Sequence, residues 1–261
     1  LGIPVTYFIL PQVWAWKEGR VSILRDSVDQ CLSIIPFEQE WFENKNVKTN
    51  FVGHPFIELE PPKQTINQFL SRHNLNYDSP ILTLFPGSRQ QEINQHWPIY
   101  IKTVKMIKSI ISNIQVIVGK APGVNLPNSP DYIKIEENYP QLTMYYGDAA
   151  LVASGTATLE AAVLDIPMVV SYRFSLPTWL FAKKMATVPY ASIVNLIADE
   201  NIVPEFIQSD MTSENLTNAV IPLLNKTSER KNMLLGYEKI RRTLGLPGAY
   251  DRAAEAIINR L

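Results

Sequence analysis

Residues 151–172, LVASGTATLEAAVLDIPMVVSY, leave the chain little choice of fold. Ala149 to Ala153 is an apolar run of strand type. Ser154-Gly155-Thr156 is a tight turn of small residues, and Ala157 to Leu164 is rich in good helix formers. Pro167 cannot continue that helix, so Asp165-Ile166-Pro167 ends it, and Met168 to Tyr172 reads as the next strand. Strand, turn, helix and strand make a βαβ unit, whose crossover is normally right-handed. At its turn Gly155 lets backbone approach a ligand closely, and the start of the helix offers unpaired N–H groups to an anion. Glu160 lies one turn after Thr156 on the same side, where a carboxylate can accept hydrogen bonds from a sugar diol. The stretch reads as a nucleotide site or as an ordinary βα turn with a capping hydroxyl, and the turn alone does not decide between them.

The same alternation runs through the rest of the chain. Val5 to Leu10, Cys31 to Ile35 and Phe51-Val52 are predicted strands, separated by a loop at Pro11 to Lys17 and helices at Glu18 to Val28 and Gln39 to Lys45. Glu58 to Lys63, ELEPPK, is charged and doubly prolyl and marks a linker. After it the pattern predicts helices at Ile66 to Arg72 (capped by Thr65), Trp97 to Ile111, Gln141 to Tyr146, Leu176 to Ala186 and Thr212 to Leu224. Strands are predicted at Ile81 to Phe85, Ile114 to Val118 and Tyr132 to Ile135, with Ser192 to Ile197 extended and Pro204 to Gln208 a short turn or helix. Two further helices, Ser228 to Leu244 and Ala249 to Leu261, close the chain. Short apolar strands between helices predict α/β architecture with parallel sheets covered on both faces. The expected division is 1–60, 61–230 and a C-terminal helical piece, 231–261, that packs back on the domain interface.

With 261 residues, 46% hydrophobic and 19% charged, the chain can build one large or two modest cores. A net charge of −1 argues against bulk nucleic-acid binding. Cys31 is the only cysteine, which excludes an internal disulfide and a cysteine metal cluster. No apolar run approaches the ~20 residues of a spanning helix, and no signal peptide is visible. The chain opens directly on an apparent strand without an initiator methionine, so the N-terminal part of a longer protein is expected to be missing.

A second turn carries chemistry. Pro86-Gly87-Ser88-Arg89 follows the strand ending at Phe85, and ligands of open α/β sheets bind at that edge. Arg89 can fork onto a phosphate, and Gly87 and Ser88 can offer N–H and O–H groups. A solvated arginine on a surface turn is the plainer alternative. There is no GxxxxGK[ST] and no GxGxxG, so neither a P-loop nor the dinucleotide fingerprint is available. Gly53-His54-Pro55 reads as structural, and His73 and His96 have no ligand-type spacing with it, so no metal site and no cofactor is expected. Two aromatic and basic clusters, Trp14, Trp16 and Lys17, then Trp179, Phe181, Lys183 and Lys184, read as core packing or as contact with lipid at a membrane surface.

Taken together, these motifs resemble the lipid-A-disaccharide synthases, inverting glycosyltransferases of GT-B type. The resemblance is carried by Pro11-Gln12-Val13-Trp14-Ala15-Trp16, Pro36-Phe37-Glu38, Phe51-Val52-Gly53-His54-Pro55, and Pro86-Gly87-Ser88-Arg89 with Glu92-Ile93. It continues through Ser154 to Glu160, Pro167 to Val170 with Tyr172-Arg173, Asn195-Leu196, and Val203-Pro204-Glu205 with Gln208. It implies two Rossmann-like domains, the first incomplete. The activity implied is transfer of a diacylglucosaminyl group from UDP-2,3-diacylglucosamine to 2,3-diacylglucosamine 1-phosphate, giving a lipid A disaccharide and UDP at the inner face of the bacterial inner membrane. Its implied partners are the two acylated sugars and a membrane surface touched peripherally, with a homodimer left open and no nucleic acid. UDP would be held by Gly87, Ser88, Arg89, Ser154, Gly155, Thr156, Ala157, Thr158, Glu160, Asn195, Glu205 and Gln208. The family's proposed general base lies in an N-terminal stretch that this chain does not contain, so no catalytic residue is assigned, and the chain alone is expected to be inactive. A MurG-like or 2-epimerase-like enzyme, or a non-catalytic nucleotide-sugar or lipid-binding module, are the alternatives.

Overall fold

The computed structural model describes residues 3–16, 18–175, 179 and 188–260, with Trp16 described by its backbone only. Two compact units emerge. The first takes in the described residues up to Glu60, Val188 and Pro189, and those from Glu238 on; the second takes in Pro61–Trp179 and Tyr190–Tyr237.

The first unit holds three parallel strands in the order β1 (Thr6–Phe8), β2 (Gln30–Ser33), β3 (Thr49–Phe51). Leu32 and Val52 pack with Ala253 of the last helix, Ala249–Ile258. Glu58 caps that helix by accepting the N–H groups of Gly248 and Ala249, both at 2.7 Å. Arg252 returns the grip through Nε on the carbonyl of Val52 at 2.8 Å.

In the second unit six strands are all parallel: β4 (Ile81–Phe85), β5 (Gln115–Gly119), β6 (Ile133–Glu136), β7 (Ala149–Ala153), β8 (Met168–Tyr172) and β9 (Glu205–Ile207). Their order across the sheet is β6-β5-β4-β7-β8-β9. The chain starts in the middle at β4, builds outward through β5 and β6, then returns to the other side of β4 with β7 and builds the opposite way. This is the doubly wound order, and the reversal between β4 and β7 opens a crevice at the carboxyl ends of those two strands. Register pairs Leu84 with Leu151 and Phe85 with Val152, so the turns after both strands leave the sheet side by side. β4, β7 and β8 are almost wholly buried apolar runs, as two-sided coverage by helices demands.

The predicted strands 81–85, 149–153 and 168–172 are observed at those bounds, and Thr65 caps the Ile66–His73 helix in a full capping box with Gln68. Four expectations are corrected. The loop predicted at Pro11 to Lys17 contains the short helix Val13–Trp16. The helix predicted to start at Trp97 starts at Gln90 and runs to Ile110 through Pro98. Pro98 and Asn94 both lie on the exposed face, so the carbonyl that proline leaves unpaired stays in water. Ser192 to Ile197, expected to be extended, instead opens the helix Ile193–Ala198, because Ser192 caps it by accepting the N–H of Asn195 at 3.2 Å. Pro204 to Gln208, expected to be a turn or helix, contains β9, which pairs with β8 at the sheet edge. The helix predicted at Leu176 to Ala186 lies outside the described residues, apart from Trp179.

Candidate nucleotide-sugar site

Both turns singled out in the sequence flank the crevice, and they are built differently. After β4, Gly87 sits at φ +132°, and a Cβ there would lie 2.6 Å from the Glu92 side chain, so only glycine fits. Glu92 curls back under the turn. Its Oε2 accepts the N–H of Ser88 at 2.9 Å and that of Arg89 at 3.2 Å, and its Oε1 accepts Tyr172 Oη–H at 3.0 Å. Arg89 Nη1 lies 3.1 Å from the same Oε1, and the arginine side chain is 79% exposed. Burial opposes ionisation of Glu92, but the Ser88, Tyr172 and Arg89 donors outweigh it and hold the carboxyl below its ordinary value. Burial, together with the same carboxylate, pushes the Tyr172 phenol up to about 12.

After β7 the turn is open. Gly155 precedes the helix Thr156–Val163 and supplies no side-chain cap. An added Cβ at Gly155 would meet nothing within 4 Å. The first N–H groups of a helix have no partner inside it, and here Thr156, exposed, leads them toward that space. Thr158 is buried and turned inward, its Oγ1 donating to the carbonyl of Gly155 at 2.8 Å. Ser154 Oγ donates to the carbonyl of Ala191 at 2.6 Å. Glu160, one turn up the helix, is half-buried, and its burial raises its pKa.

The remaining predicted residues form a scaffold beside this crevice. Asn195 is fully buried. Its Oδ1 accepts the N–H groups of Ile202 and Val203, and its Nδ2 donates to the carbonyl of Val203 at 2.9 Å and to Glu205 Oε1 at 2.7 Å. Glu205 also accepts the N–H groups of Ala191 and Ser192. Gln208 Oε1 accepts the N–H of Phe174 at 2.6 Å, while its carbonyl takes Nε and Nη2 of Arg173. The structure therefore places Ser88 and Arg89 on the turn after β4, Gly155, Thr156 and Ala157 on the turn after β7, and Glu160 one turn up the helix that follows. It places Asn195, Glu205 and Gln208 in the hydrogen bonds that shape the loops around the crevice. Sequence reading set His96 aside, yet it is fully buried with both ring nitrogens engaged at this edge. Its position on the helix that begins at Gln90, one turn after Glu92, was the available signal.

At the carboxyl edge of the first sheet, Trp14 is 4% exposed, packs against Phe37 and donates its indole N–H to Glu38 Oε1 at 3.0 Å. The expectation of lipid contact at Trp14 is corrected: the side chain belongs to the core. Glu38 is buried, and burial pushes its pKa up to about 7 against the opposing Trp14 bond. His54 Nδ1 accepts the N–H of Phe56 at 3.1 Å, and burial holds its pKa down to about 4, so the ring is neutral with its proton on Nε2. Trp179 is half-buried and stacks on Phe174, with ring centroids 6.1 Å apart. Lys17, Phe181, Lys183, Lys184 and the side chain of Trp16 lie outside the described residues. Among the described residues no helix is long and apolar enough to cross a membrane, and no group of three or more His, Cys, Asp or Glu side chains is placed to hold a metal ion.

A doubly wound parallel sheet with two such turns at its switch point is an α/β architecture of the kind found in GT-B glycosyltransferases. Solved structures share this fold. The calicheamicin glycosyltransferase CalG4 superposes with a TM-score of 0.55 at 18% identity, over 89% of this chain and 53% of that one. The glycotransferase of kitacinnamycin superposes at 0.58 with 14% identity, over 99% of this chain and 70% of that one. The chain matches the lipid-A-disaccharide synthetase family over residues 2–256 and belongs to it. It is 36% identical to the lipid-A-disaccharide synthase of Myxococcus xanthus, covering all of this chain and 70% of that protein. Against that of Solibacter usitatus it is 37% identical over 98% of this chain and 68% of the relative, and against that of Coxiella burnetii 32% over 99% and 70%. The protein is thus a glycosyltransferase of lipid A biosynthesis.

Proposed function

We propose that the crevice between β4 and β7 binds the UDP part of UDP-2,3-diacylglucosamine, and that the enzyme transfers the acylated sugar to 2,3-diacylglucosamine 1-phosphate. The observation that carries this reading is the pair of turns leaving neighbouring strands at the chain reversal. Inverting transfer needs a base on the acceptor hydroxyl and stabilisation of the departing diphosphate. Arg89 supplies an exposed, permanently charged fork for that diphosphate, and the N–H groups of Thr156 and Ala157 supply the fixed partial charge of a helix start. Ser88 contributes its hydroxyl, since its N–H is taken by Glu92. Glu160 accepts the ribose hydroxyls. The acyl chains of both sugars partition into a bilayer, which supports work at the inner face of the bacterial inner membrane.

Titration of the protein with UDP by calorimetry, followed by a UDP-release assay with both acylated sugars, tests the reading. Binding of UDP that Arg89→Ala leaves unchanged would remove the diphosphate from this crevice.

A further inference from the structure

We propose that His96 is a positioning residue for diphosphate recognition: it holds the turn that carries Arg89 against the end of β8. The proposal rests on the assignment of the diphosphate to the crevice. His96 has no solvent exposure. Its Nδ1–H donates to the carbonyl of Pro86, the first residue of the turn, at 2.7 Å, and its Nε2 accepts the N–H of Arg173, the first residue after β8, at 2.9 Å. The two bonds require opposite roles of the two nitrogens, so they select one neutral tautomer.

β4 and β8 are not neighbours, because β7 lies between them. The exits of these two strands are therefore joined by side chains of the Gln90–Ile110 helix and not by the ladder. Glu92 makes the second junction, one turn earlier on that helix, by accepting Ser88 and Arg89 N–H on one side and Tyr172 Oη–H on the other. The His96 and Tyr172 rings pack edge to face, with centroids 4.9 Å apart. Arg173 carries the connection on to the carbonyls of Gln208, at 2.9 Å, and Met211, at 2.8 Å. The turn is thus held at its start by His96 and at its end by Glu92, over a strand whose own turn stays open. A histidine that served only the core would need its nitrogens satisfied by any buried group. Here both partners are main-chain groups of loops at the ligand-binding edge.

Two near-isosteric replacements divide the pair of bonds. His96→Asn places an amide donor where Nδ1 stands and keeps the Pro86 bond. His96→Gln reaches the Nε2 position and keeps the Arg173 bond. Two measurements are made on both variants: hydrogen exchange at the amides of Ser88 and Arg89 without ligand, and the Kd for UDP, with the thermal midpoint as a control. The proposal expects faster exchange and roughly tenfold weaker UDP binding in both variants, the scale of one lost hydrogen bond, because each cuts one end of the tie between the Pro86 turn and the end of β8. Unchanged exchange at Ser88 and Arg89 in both variants, with any loss of UDP affinity tracking the loss of thermal stability, would make His96 a core residue and overturn the proposal. Faster exchange in His96→Gln with unchanged UDP affinity would overturn it as well. In that case Arg89→Ala separately judges the crevice: a normal response there leaves the diphosphate assignment standing while the role of His96 falls.

Discussion

The turn after β4 and the turn after β7 leave adjacent strands at the same edge, yet they solve the same backbone problem in opposite ways. Each begins a helix, and each helix start leaves N–H groups without partners. After β4 the chain supplies its own anion: Glu92 takes the N–H groups of Ser88 and Arg89 and fixes the turn. After β7 nothing in the first turn does this, and Gly155 faces open space. The difference separates two jobs that look alike in sequence. The closed turn is a hydrogen-bonded mount for one exposed guanidinium, and on the reading proposed above the open turn is the anion seat. An internal carboxylate in both turns would leave a diphosphate nothing to bind, whereas two open turns would leave Arg89 on an unfixed loop.

The most severe test makes the open turn resemble the closed one. Thr156→Asp puts a carboxylate at the helix start, where it satisfies the free N–H groups and repels a phosphate. Like-charge juxtaposition of this kind costs several kcal/mol, so UDP affinity should fall by at least about 100-fold. Thermal stability should stay level or rise slightly, because an acid there suits the helix dipole. Calorimetry beside a thermal melt reads both, and retained UDP affinity would mean that the anion seat lies elsewhere.

Arg89→Ala removes the guanidinium while leaving Glu92 and both backbone N–H bonds in place. Loss of a charge-assisted pair should weaken UDP by ~1.5–3 kcal/mol, roughly 10- to 100-fold, without much effect on folding, since the side chain is mostly exposed. A drop in the thermal midpoint as large as the drop in affinity would instead make Arg89 part of the mount.

Glu92→Gln tests the closed turn itself. One of its acceptors becomes a donor facing N–H groups, and unpaired buried groups cost ~1–3 kcal/mol of stability. The pH dependence carries a sign. The folded pKa of Glu92 lies below its ordinary value, so its contribution is present above that value and is lost as pH falls through the folded pKa. Acid titration of stability should therefore show a loss in wild type that Glu92→Gln lacks. Identical acid profiles would remove Glu92 from the mount.

Glu160→Gln should have the smallest effect. Loss of a ribose contact weakens UDP by ~0.5–1.5 kcal/mol, about three- to tenfold, and leaves inorganic diphosphate binding unchanged. Parallel weakening of both ligands would assign Glu160 to the fold.

Much of this site was legible before any coordinates. The βαβ unit around Gly155 needed only an apolar run, a small-residue turn and a proline stop, all local signals. Pro86-Gly87-Ser88-Arg89 was legible for the same reason, as a strand-end turn with a charged tip. The helix after it was misjudged at its start, because Pro98 looks like a boundary until one knows that its freed carbonyl faces water. β9 was missed because its strand character comes from pairing with β8 and not from its own residues.

What the sequence determined by itself was most of the series of strands and helices, the two turns and the family to which they belong, since these follow from periodicity, glycine and proline positions and contiguous motifs. What only the tertiary structure decided was who partners whom. Asn195, Glu205 and Gln208 stand near the site in sequence motifs, yet their amide and carboxylate groups are spent on loops brought together across the sheet edge. His96 and Glu92 acquire their roles from Arg173 and Tyr172, some eighty positions away. Hydrogen-bond partners at that separation are set by strand order, and strand order depends on which apolar faces meet, a property that no local stretch of residues contains.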